Sequence, residues 1–350
     1  MQLTAMTAKL VVNGRFLNQP ITGVQRFAVE ICKQLVMRAS HLEIVAPAGT
    51  DCPHDQLKPL LKTYGTRKGA FWEQTDLVSY MRQNRGFLLN LCNSAPIRYN
   101  KNVVAIHDLG VYVNHRWYNQ SFVWWYRFMT PKILRRAKAI LTVSNSSKEE
   151  ILRLFNIDKG KTHVVYNGVP DRFGLESPVS KEKLILHVGT YSERKNLNFI
   201  IESFNNANTN GYKLVFCGNT DENLSDSISR YYHSNKIEFR TGVSDEELNL
   251  LYSKARYIVC GSHYEGFGLP VLEGIVNGVT PILSDIPVFR ELYELGSLFF
   301  HPERLNELTE IFSKLPEEYS YPSDEHISMY KEKFSYQASA QKIIKLTNKL

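Results

Sequence analysis

The sequence alternates short apolar runs with amphipathic helical patterns, and it does so in both halves of its 350 residues. Apolar runs that are separated by helices favour a parallel sheet with covered faces. A chain of this length is too long for one ordinary core, so the pattern predicts two α/β domains, each a doubly wound parallel sheet. We interpret as strands the runs Leu10–Asn13, Glu43–Ala46, Phe87–Cys92, Val103–Ile106, Ile140–Val143, His163–Tyr166, Leu184–Val188, Lys213–Cys217, Tyr257–Cys260, Val279–Leu283 and Ser297–Phe300.

The boundary between the two halves lies in Asn167–Lys183, a segment rich in proline, glycine and polar residues. We therefore predict an N-terminal domain over residues 1–168, a linker over 169–183 and a C-terminal domain over 184–333. The last stretch, Phe334–Leu350, has a helical pattern.

The composition restricts the class of protein. Hydrophobic residues make up 43% of the chain and charged residues 22%, as in a soluble globular protein. The five cysteines are irregularly spaced and include no C-x-x-C pair, which argues against a disulfide framework or a zinc site and fits a reducing cytoplasm. The N-terminus lacks the long apolar core of a signal peptide, and no apolar run approaches the ~18–20 residues that span a bilayer. We therefore expect a cytoplasmic protein.

The excess of positive charge, formally +7, is unevenly distributed. The stretch Leu109–Lys148 contains seven Lys or Arg residues and no Asp or Glu, together with Trp117, Trp124, Trp125 and further aromatic residues. Three interpretations stay open: an aromatic core helix with solvated charges, a peripheral contact with an anionic membrane, and nucleic acid binding. No recognised nucleic-acid motif accompanies the charge, so we expect no nucleic acid partner.

The segment His263–Glu273, HYEGFGLPVLE, follows an apolar run and leads into helical spacing. Gly266 and Gly268 let the backbone turn tightly and let a ligand reach main-chain N–H groups. A loop of this kind at a helix N-terminus binds anions, and carboxylates flank it at Glu265 and Glu273. A nucleotide sugar matches such a loop, because its phosphates can accept from the amides and its hydroxyls can donate to the carboxylates. A Gly-x-Gly turn by itself, however, is also common as a purely structural feature.

The whole string E-G-F-G-L-P-x-x-E is more specific, and it resembles the donor-site motif of the retaining glycosyltransferases of family 4. The resemblance implies the GT-B fold, two Rossmann-like doubly wound domains that face a central cleft. It also implies that Phe334–Leu350 forms a helix that packs back on the N-terminal domain. By the same resemblance Glu265 meets the transferred sugar and Glu273 binds the ribose hydroxyls. The donor-binding set then includes Gly266, Phe267, Gly268 and Leu269, most of them through backbone amides.

A second motif follows the predicted strand Leu184–Val188, where GTYSERKN places Arg194 and Lys195 at the start of a helix. A basic pair on a turn is commonly only solvated charge, but this pair lies at a strand end. The segment resembles the family's G-x-x-x-x-R-K-N element, whose Arg and Lys neutralise the donor diphosphate. Cleavage of a nucleotide sugar leaves a second negative charge on the diphosphate, and cations aimed at it lower the barrier.

In the first half the resemblance points to weaker positions. Gly23 and Arg26 lie where the family has a loop that approaches the diphosphate and the acceptor, although this chain has Thr22 where many members have a second glycine. His107 ends a predicted strand, where a histidine is often only a satisfied polar residue. In the family a histidine at this place contacts the donor sugar or its phosphate.

The catalytic set implied by the resemblance is therefore His107, Arg194, Lys195 and Glu265. The acceptor side is assigned to Arg26, Asp108, Ser144 and Asn145. The sequence contains no Asp-x-Asp motif and no cluster with metal-ligand spacing. We therefore expect no metal and no cofactor, with the diphosphate neutralised by the cationic pair and by helix dipoles.

The expected function is a retaining transfer of mannose, rhamnose or a related hexose from a GDP-, UDP- or dTDP-sugar to a glycan or lipid-linked glycan. The N-terminal run NGRFLNQPITGVQRFAVEI resembles that of transferases of bacterial surface polysaccharide synthesis, such as O-antigen or capsule. Such enzymes act at the cytoplasmic face of the membrane, which would give Leu109–Lys148 a use. Two other hypotheses stay open: a sugar-nucleotide epimerase or phosphorylase of the same architecture, and a non-catalytic glycan-binding paralogue.

Overall fold

A computed structural model of the chain describes residues 9–170, 173, 180–218, 235–316 and 322–350. The chain divides into two compact units: unit 1 is Met1–Gly168 with Phe334–Leu350, and unit 2 is Val169–Lys333. Of the predicted linker 169–183, residues 171–172 and 174–179 lie outside the described residues.

The described part of unit 1 contains a seven-stranded sheet in the order β3-β2-β1-β4-β5-β6-β7, and all neighbouring strands pair in parallel. The strands are β1 Leu10–Asn13, β2 Leu42–Ala46, β3 Leu61–Thr63, β4 Phe87–Asn90, β5 Asn102–Ile106, β6 Ala139–Thr142 and β7 Thr162–Val164. The α-helices are Gly23–Val36, Gly69–Gln74, Asp76–Asn84, Gly110–Val113, Gln120–Arg136, Asn145–Phe155 and Tyr336–Thr347. Every residue of β1, β5 and β6 is buried, as the central strands of a parallel sheet require.

The described part of unit 2 contains a six-stranded parallel sheet in the order β10-β9-β8-β11-β12-β13. The strands are β8 Glu182–Val188, β9 Lys213–Cys217, β10 Ile237–Arg240, β11 Ala255–Cys260, β12 Thr280–Ser284 and β13 Leu298–Phe300. The α-helices are Leu197–Asn206, Asp245–Lys254, Leu269–Val276, Pro287–Tyr293, Leu305–Ser313 and Asp324–Lys333. A core of aromatic and aliphatic side chains, among them Phe204, Phe216 and Tyr257, packs between the sheet and its helices.

The predicted fold class, two α/β domains built on parallel sheets, is confirmed. Each apolar run interpreted as a strand forms one, with ends that differ by about two residues or fewer. Two further strands, Leu61–Thr63 and Ile237–Arg240, were not predicted. Both lie at a sheet edge and carry polar, partly exposed side chains, so they lack the apolar run that reveals a central strand.

In each sheet the strand order reverses at one place. In unit 1 the chain passes from β1 to β2 on one side, whereas β4 lies on the other side of β1 and leads to β5. In unit 2 the chain passes from β8 to β9 on one side, whereas β11 lies on the other side of β8 and leads to β12. Doubly wound sheets bind ligands outside the carboxyl ends of their strands at such a switch point. The ends of β1 and β4, and of β8 and β11, are therefore the places where binding residues are expected.

The C-terminal helix Tyr336–Thr347 packs against Gly23–Val36 within unit 1. Its buried residues include Ala340, Ile343 and Ile344, which lie on one face at three- and four-residue spacing. The end of the chain therefore completes the core of the unit in which the chain begins.

Replacing Ile343, which is fully buried, with alanine should lower the free energy of unfolding by about 2–4 kcal/mol, because the change leaves a cavity in a packed core. Lys345→Ala on the same helix is the control, since Lys345 is exposed and surface changes shift stability by about 0.5 kcal/mol or less. Urea unfolding of both variants measures the difference. Equal stability of the two variants would contradict this packing.

Candidate functional site

Arg194 and Lys195 lie in the loop that follows β8, at the carboxyl edge of the unit 2 sheet. The chain makes one 3-10 turn over Glu193–Lys195 and then passes through Asn196, whose φ of 58° is left-handed. Asparagine tolerates this conformation, so the turn ends there and the helix Leu197–Asn206 begins. Lys195 is thereby directed inward and is only 8% exposed.

Glu265 lies in the loop that follows β11, the neighbour of β8 in the sheet. Ser262 Oγ donates to Glu265 Oε1 at 2.7 Å, and Ser284 Oγ at the end of β12 donates to the Ser262 carbonyl at 2.6 Å. The ends of two adjacent strands therefore fix the loop that carries Glu265, whose side chain is 9% exposed.

The two loops meet because β8 and β11 are adjacent and parallel. Lys195 Nζ lies 2.5 Å from Glu265 Oε1, and Arg194 Nη1 lies 3.2 Å from Glu265 Oε2. Arg194 Nη1 also donates to the Tyr264 carbonyl at 2.8 Å, and the His263 amide donates to the Arg194 carbonyl at 3.0 Å. Three of the residues predicted to be catalytic thus form one group of two cations and one carboxylate, which we call the Glu265 cluster.

Charge controls the protonation of this cluster. Burial raises the pKa of Glu265, but the charges of Lys195 and Arg194, with hydrogen bonds from Lys195 and Ser262, outweigh burial and lower the pKa to about 2. The carboxylate is therefore ionised at neutral pH. Two cations facing one carboxylate leave one positive charge in excess, which suits an anionic ligand.

His187, near the end of β8, was not recognised from the sequence. It is fully buried, and its Nδ1 lies 3.0 Å from the Val259 carbonyl oxygen, an acceptor, so Nδ1 carries the proton. Burial, followed by the charge of Lys195, lowers the pKa of His187 to about 4, so the ring is neutral. Within the described ranges Nε2 has no hydrogen-bond partner. An isolated histidine inside an apolar strand resembles any core residue, so the sequence offers no sign of its nearness to Lys195.

The glycine bend after Glu265 begins the helix Leu269–Val276. Gly268 has a left-handed φ of 86°, and a Cβ at this position would lie 2.6 Å from Cε1 of Phe289, so only glycine fits. Phe267 is 4% exposed, and its ring packs edge-on against that of Tyr293, with the centroids 6.1 Å apart.

Backbone donors are available at this bend. Among the residues that the structure describes, the N–H groups of Gly266, Gly268 and Leu269 donate to no acceptor. The N-terminus of a helix also carries a partial positive charge, and such amides bind phosphate. All three residues belong to the predicted donor-binding set, and their contacts with a ligand stay predictions.

Glu273, on the second turn of the helix Leu269–Val276, is 5% exposed. The hydroxyl of Tyr252, on the helix Asp245–Lys254, donates to Glu273 Oε2 at 3.0 Å. Tyr252 was not recognised from the sequence, because it lies outside both motifs. Cations hold Glu265, and the Tyr252 hydroxyl is one of the groups that contact Glu273.

In unit 1, Gly23 begins the helix Gly23–Val36 and Thr22 is its N-cap. The Thr22 amide donates to Gln25 Oε1 at 3.2 Å, and Thr22 Oγ1 accepts from the backbone of the first turn, which completes a capping box. This cap is a physical reason for threonine at a place where a second glycine is common. Arg26 lies in the first turn, and its predicted ligand contact stays a prediction.

His107 follows β5, and Asp108 follows it. The Nε2 atom of His107 lies 2.8 Å from the Leu91 carbonyl oxygen, and the His107 amide donates to Asn93 Oδ1 at 2.7 Å. Burial lowers the pKa of His107 below its ordinary value, so the ring is neutral and Nε2 carries the proton. Asp108 Oδ1 accepts from the Gly110 amide at 3.0 Å. These bonds give both residues a structural role, and their predicted ligand contacts stay predictions.

Ser144 and Asn145 lie where β6 passes into the helix Asn145–Phe155. Ser144 is buried and caps this helix, with its Oγ accepting from the Ser147 amide at 3.1 Å. Asn145 is exposed, and its Nδ2 donates to the Tyr166 hydroxyl at 3.3 Å. Of the two, Asn145 is therefore the one with a solvent-accessible side chain, and an acceptor contact for either stays a prediction. Over the described residues, no three His, Cys, Asp or Glu side chains are grouped to hold a metal ion.

The helix Gln120–Arg136 carries most of the basic aromatic stretch. Trp124 and Phe128 are 66% and 46% exposed, and their rings stack with centroids 5.5 Å apart. Lys132 Nζ lies 3.0 Å from the Phe128 ring centroid. The interpretation as an aromatic core helix is therefore wrong for Trp124 and Phe128, which together with Lys132 form what we call the aromatic face. Across the described ranges, no helix combines the length and the apolar character needed to cross a bilayer.

Two family profiles match the chain. The profile of Glycosyltransferase Family 4 matches residues 21–173, and that of Glycosyl transferases group 1 matches residues 173–334. The two matches adjoin and leave little of either unit uncovered. The chain belongs to this family of glycosyltransferases, and the resemblance inferred from the donor motif is confirmed.

Relatives with similar sequences carry specific names. The O-antigen chain mannosyltransferase RfbU of Salmonella typhimurium is 30% identical over 224 residues, which are 63% of this chain and 62% of that protein. The O-antigen chain mannosyltransferase B of Escherichia coli is 25% identical over 344 residues, which are 86% of this chain and 88% of that protein. The match thus spans less than two thirds of the first relative and most of the second.

A solved structure, Anabaena Alr3699/HepE in complex with UDP, has a TM-score of 0.73 to this chain at 16% sequence identity. The match covers 98% of this chain and 100% of that chain. At such low identity the likeness concerns the fold alone, and it agrees with the predicted GT-B fold of two Rossmann-like domains.

Replacing Glu265 with glutamine tests the charge of the cluster. The folded-state pKa of Glu265 is about 2, below its ordinary value of 4.5, so ionised Glu265 contributes stability above about pH 4.5 that is lost as the pH falls toward 2. We expect the variant to be less stable by about 3 kcal/mol at neutral pH, with a difference that shrinks below about pH 4.5.

Denaturant unfolding of Glu265→Gln and the wild type at several pH values measures this difference. Glu246→Gln, which removes a charge from an exposed position of unit 2, is the matched control. A difference between Glu265→Gln and the wild type that stays constant with pH would show that the ion pairs do not hold the carboxylate ionised.

Proposed function

We propose that the protein is a retaining, metal-independent glycosyltransferase that moves a hexose from a nucleotide diphosphate sugar to a glycan in bacterial surface polysaccharide synthesis. The observation that carries this proposal is the Glu265 cluster at the switch point of unit 2, in a chain of glycosyltransferase family 4. The names of the two relatives favour mannose as the transferred sugar, ahead of rhamnose or another hexose.

The cluster has the charge that a diphosphate requires. Lys195 and Arg194 carry one positive charge more than Glu265 cancels, and the helix N-terminus at Gly268 and Leu269 adds two amide donors. As the bond from the sugar to the phosphate breaks, negative charge grows on the departing diphosphate. Cations and amides that are already fixed in place stabilise that charge without reorganising. In this proposal the two cationic side chains and the helix dipole neutralise the charge of the diphosphate, so no step needs a metal ion.

In this proposal Glu265 binds the transferred sugar. Its oxygens are oriented by Lys195, Arg194 and Ser262, and an ionised carboxylate accepts strong hydrogen bonds from sugar hydroxyls. The anomeric carbon passes through an oxocarbenium-like state. The acceptor oxygen forms its bond to this carbon on the face that the phosphate leaves, and the departing phosphate oxygen takes the acceptor's proton. The anomeric configuration is therefore retained, and the enzyme's contribution is orientation and charge.

Glu273 is assigned to the ribose hydroxyls of the nucleotide. Its carboxylate accepts a hydrogen bond from the Tyr252 hydroxyl at 3.0 Å, which orients it before the nucleotide binds. A carboxylate held in advance loses less conformational entropy when the nucleotide binds.

We also propose that the acceptor is lipid-linked and that the aromatic face contacts the anionic cytoplasmic surface of the membrane. Tryptophan favours the interface between lipid and water, and Lys and Arg are attracted by anionic head groups. The exposed stack of Trp124 on Phe128 lies on the same helix as exposed Arg127 and Arg135. This composition fits a helix that lies along a membrane surface.

Nucleotide binding is the first test. In melting experiments with GDP, UDP, dTDP and ADP, we expect one diphosphate to raise the melting temperature most, because a ligand that binds the folded state stabilises it. Glu273→Ala should weaken that nucleotide about tenfold or more, since hydrogen bonds to a charged group contribute about 1.5–3 kcal/mol each. Glu294→Ala, at an exposed glutamate of unit 2, is the calorimetric control. Unchanged affinity in Glu273→Ala would refute its ribose contact.

The second test measures sugar transfer. The donor is mannose α-linked to the preferred nucleoside diphosphate, and the acceptor is a mannose oligosaccharide. We expect an α-linked product by NMR and an unchanged rate in excess chelator. A β-linked product would refute retention, and a loss of rate in chelator that magnesium or manganese restores would refute metal independence. An epimerase would instead change the donor without an acceptor, a phosphorylase would require inorganic phosphate, and a binding paralogue would give no product.

The membrane contact is tested by sedimentation with vesicles that contain phosphatidylglycerol. The double variant Trp124→Ser, Phe128→Ser should bind about tenfold less, because it removes the apolar surface that enters the interface. Phe71→Ser is the matched control, since Phe71 is 65% exposed in the same unit but lies outside the aromatic face. Equal losses of vesicle binding in the double variant and in Phe71→Ser, or no binding by the wild type, would refute the contact.

A further inference from the structure

Tyr252 joins the helix Asp245–Lys254 to the helix that carries Glu273. It is fully buried, and its hydroxyl donates to Glu273 Oε2 at 3.0 Å. The same hydroxyl lies 3.3 Å from the Pro270 carbonyl oxygen, three residues earlier in the helix Leu269–Val276. A binding side chain keeps its direction only when the residues around it are themselves held in place. The groups that hold Tyr252 therefore also help to orient the Glu273 carboxylate.

Two residues of the predicted linker 169–183 contact Tyr252. The ring of Phe173, which is 3% exposed, meets the Tyr252 ring edge to face, with the centroids 6.0 Å apart and an interplanar angle of 84°. This geometry is a favourable one for an aromatic pair. Lys181, immediately before β8, donates from Nζ to the Tyr252 carbonyl oxygen at 3.3 Å. The linker thus contacts both the side chain and the backbone of Tyr252.

Lys181 also binds the end of the helix Leu269–Val276. Its Nζ donates at 2.7 Å to the carbonyl oxygen of Asn277, the first residue after this helix. Asn277 is fully buried, and its Nδ2 donates to the Glu273 carbonyl oxygen at 2.9 Å. A cation at the carboxyl end of a helix is also favoured by the helix dipole. One ammonium group therefore connects Tyr252 with the last turn of the helix that carries Glu273.

The charge of Lys181 strengthens these contacts. Burial, followed by the charge of Arg256, lowers the pKa of Lys181 to about 8, so the ammonium form predominates at neutral pH. Over the described residues, its Nζ pairs with no carboxylate and donates to the two carbonyl oxygens. Hydrogen bonds from an ionised donor are stronger than those between neutral groups. A lysine that only solvated the linker would extend into water, so this geometry indicates a role at the helix end.

We propose that Lys181 and Phe173 are positioning residues for nucleotide binding, because they hold Tyr252 and the end of the helix Leu269–Val276 and thereby keep Glu273 directed at the ribose hydroxyls. The inference rests on the proposed function, since it takes Glu273 as the group that binds the ribose. Both residues act through Glu273, so their loss should weaken recognition of the ribose more than recognition of the base or the phosphates.

The test compares two ligands by calorimetry on the full chain. One is the diphosphate among GDP, UDP, dTDP and ADP that raises the melting temperature most, and the other is its 2′,3′-dideoxy analogue. The ratio of the two Kd values measures ribose recognition, because both ligands share the base and the phosphates. The wild type should bind the analogue about tenfold or more weakly, since the analogue lacks the hydroxyls that donate to Glu273.

Lys181→Met keeps the length and the apolar stem of the side chain but removes its charge and its donors. The ratio of Kd values should fall to about threefold or less, because the hydrogen bonds that fix the helix end are lost. Lys183→Met is the matched control, since Lys183 Nζ also donates to a backbone carbonyl in unit 2, that of Asn210, at 3.1 Å. This control should keep the ratio of the wild type, and an equal fall in both variants would overturn the inference.

Phe173→Leu removes the ring that packs on Tyr252. The ratio should fall about twofold or more, because an edge-to-face pair contributes about 0.5–1.5 kcal/mol beyond its buried area. Phe312→Leu is the matched control, since Phe312 is fully buried in unit 2 and meets Phe204 edge to face, with the centroids 5.6 Å apart. The control should lower the melting temperature and leave the ratio unchanged. A ratio that falls equally in both variants would show a general effect of stability.

A double variant tests whether Lys181 acts through Glu273. In the Glu273→Ala background, Lys181→Met should cause no further loss of affinity for the diphosphate, because the carboxylate that Lys181 helps to position is already absent. Additive losses would show that Lys181 supports the fold of unit 2 without positioning Glu273, and would overturn the inference.

The outcomes separate this inference from the proposed function. If the wild type prefers the ribose form through Glu273, and Lys181→Met and Phe173→Leu keep the full ratio, the inference is overturned while the ribose contact of Glu273 stands. If the wild type and Glu273→Ala have the same ratio, the proposed ribose contact fails and the inference fails with it. In that case diphosphate binding and sugar transfer still stand on their own tests.

Discussion

The interaction on which unit 2 depends is a buried carboxylate held between two cations. Glu265 alone would be costly to bury, so the chain has to bring Lys195 and Arg194 to it and keep them there. Adjacent parallel strands make this possible, because both loops leave the sheet at the same edge. The left-handed Asn196 and the glycine at Gly268 then end each loop at the start of a helix. One electrostatic requirement thus explains several local features of the backbone.

Unit 1 uses the same topological position with a different balance of charge. Its carboxylate, Glu73, is satisfied mainly by neutral donors and by a single cation, Arg15. The Glu265 cluster instead carries a positive excess beside open helix amides. The two switch points therefore differ in charge, because the cluster in unit 2 has one cation in excess, whereas Arg15 in unit 1 faces the single carboxylate of Glu73.

Much of this could be predicted from the sequence. The central strands were predicted because they are buried on both faces and therefore appear as apolar runs, and Arg194, Lys195 and Glu265 were predicted because their motifs are contiguous. The edge strand Leu61–Thr63 was missed because its side chains are polar and exposed. Glu73, Arg15 and Tyr252 were missed for another reason: their partners lie far away in the sequence, and only folding brings them together. The exposure of Trp124 was equally hidden, because composition does not reveal which face of a helix is buried.

The central claim is that the cationic turn of unit 2 binds the diphosphate of a nucleotide. The most direct measurement is calorimetry of the wild type and Lys195→Gln with a nucleoside, its monophosphate and its diphosphate. The wild type should bind the diphosphate at least about tenfold more tightly than the nucleoside, since each charge-assisted bond contributes about 1.5–3 kcal/mol. Lys195→Gln should lose most of that difference and keep its affinity for the nucleoside. Equal affinity of the wild type for nucleoside and diphosphate, or unchanged diphosphate binding in Lys195→Gln, would contradict the claim.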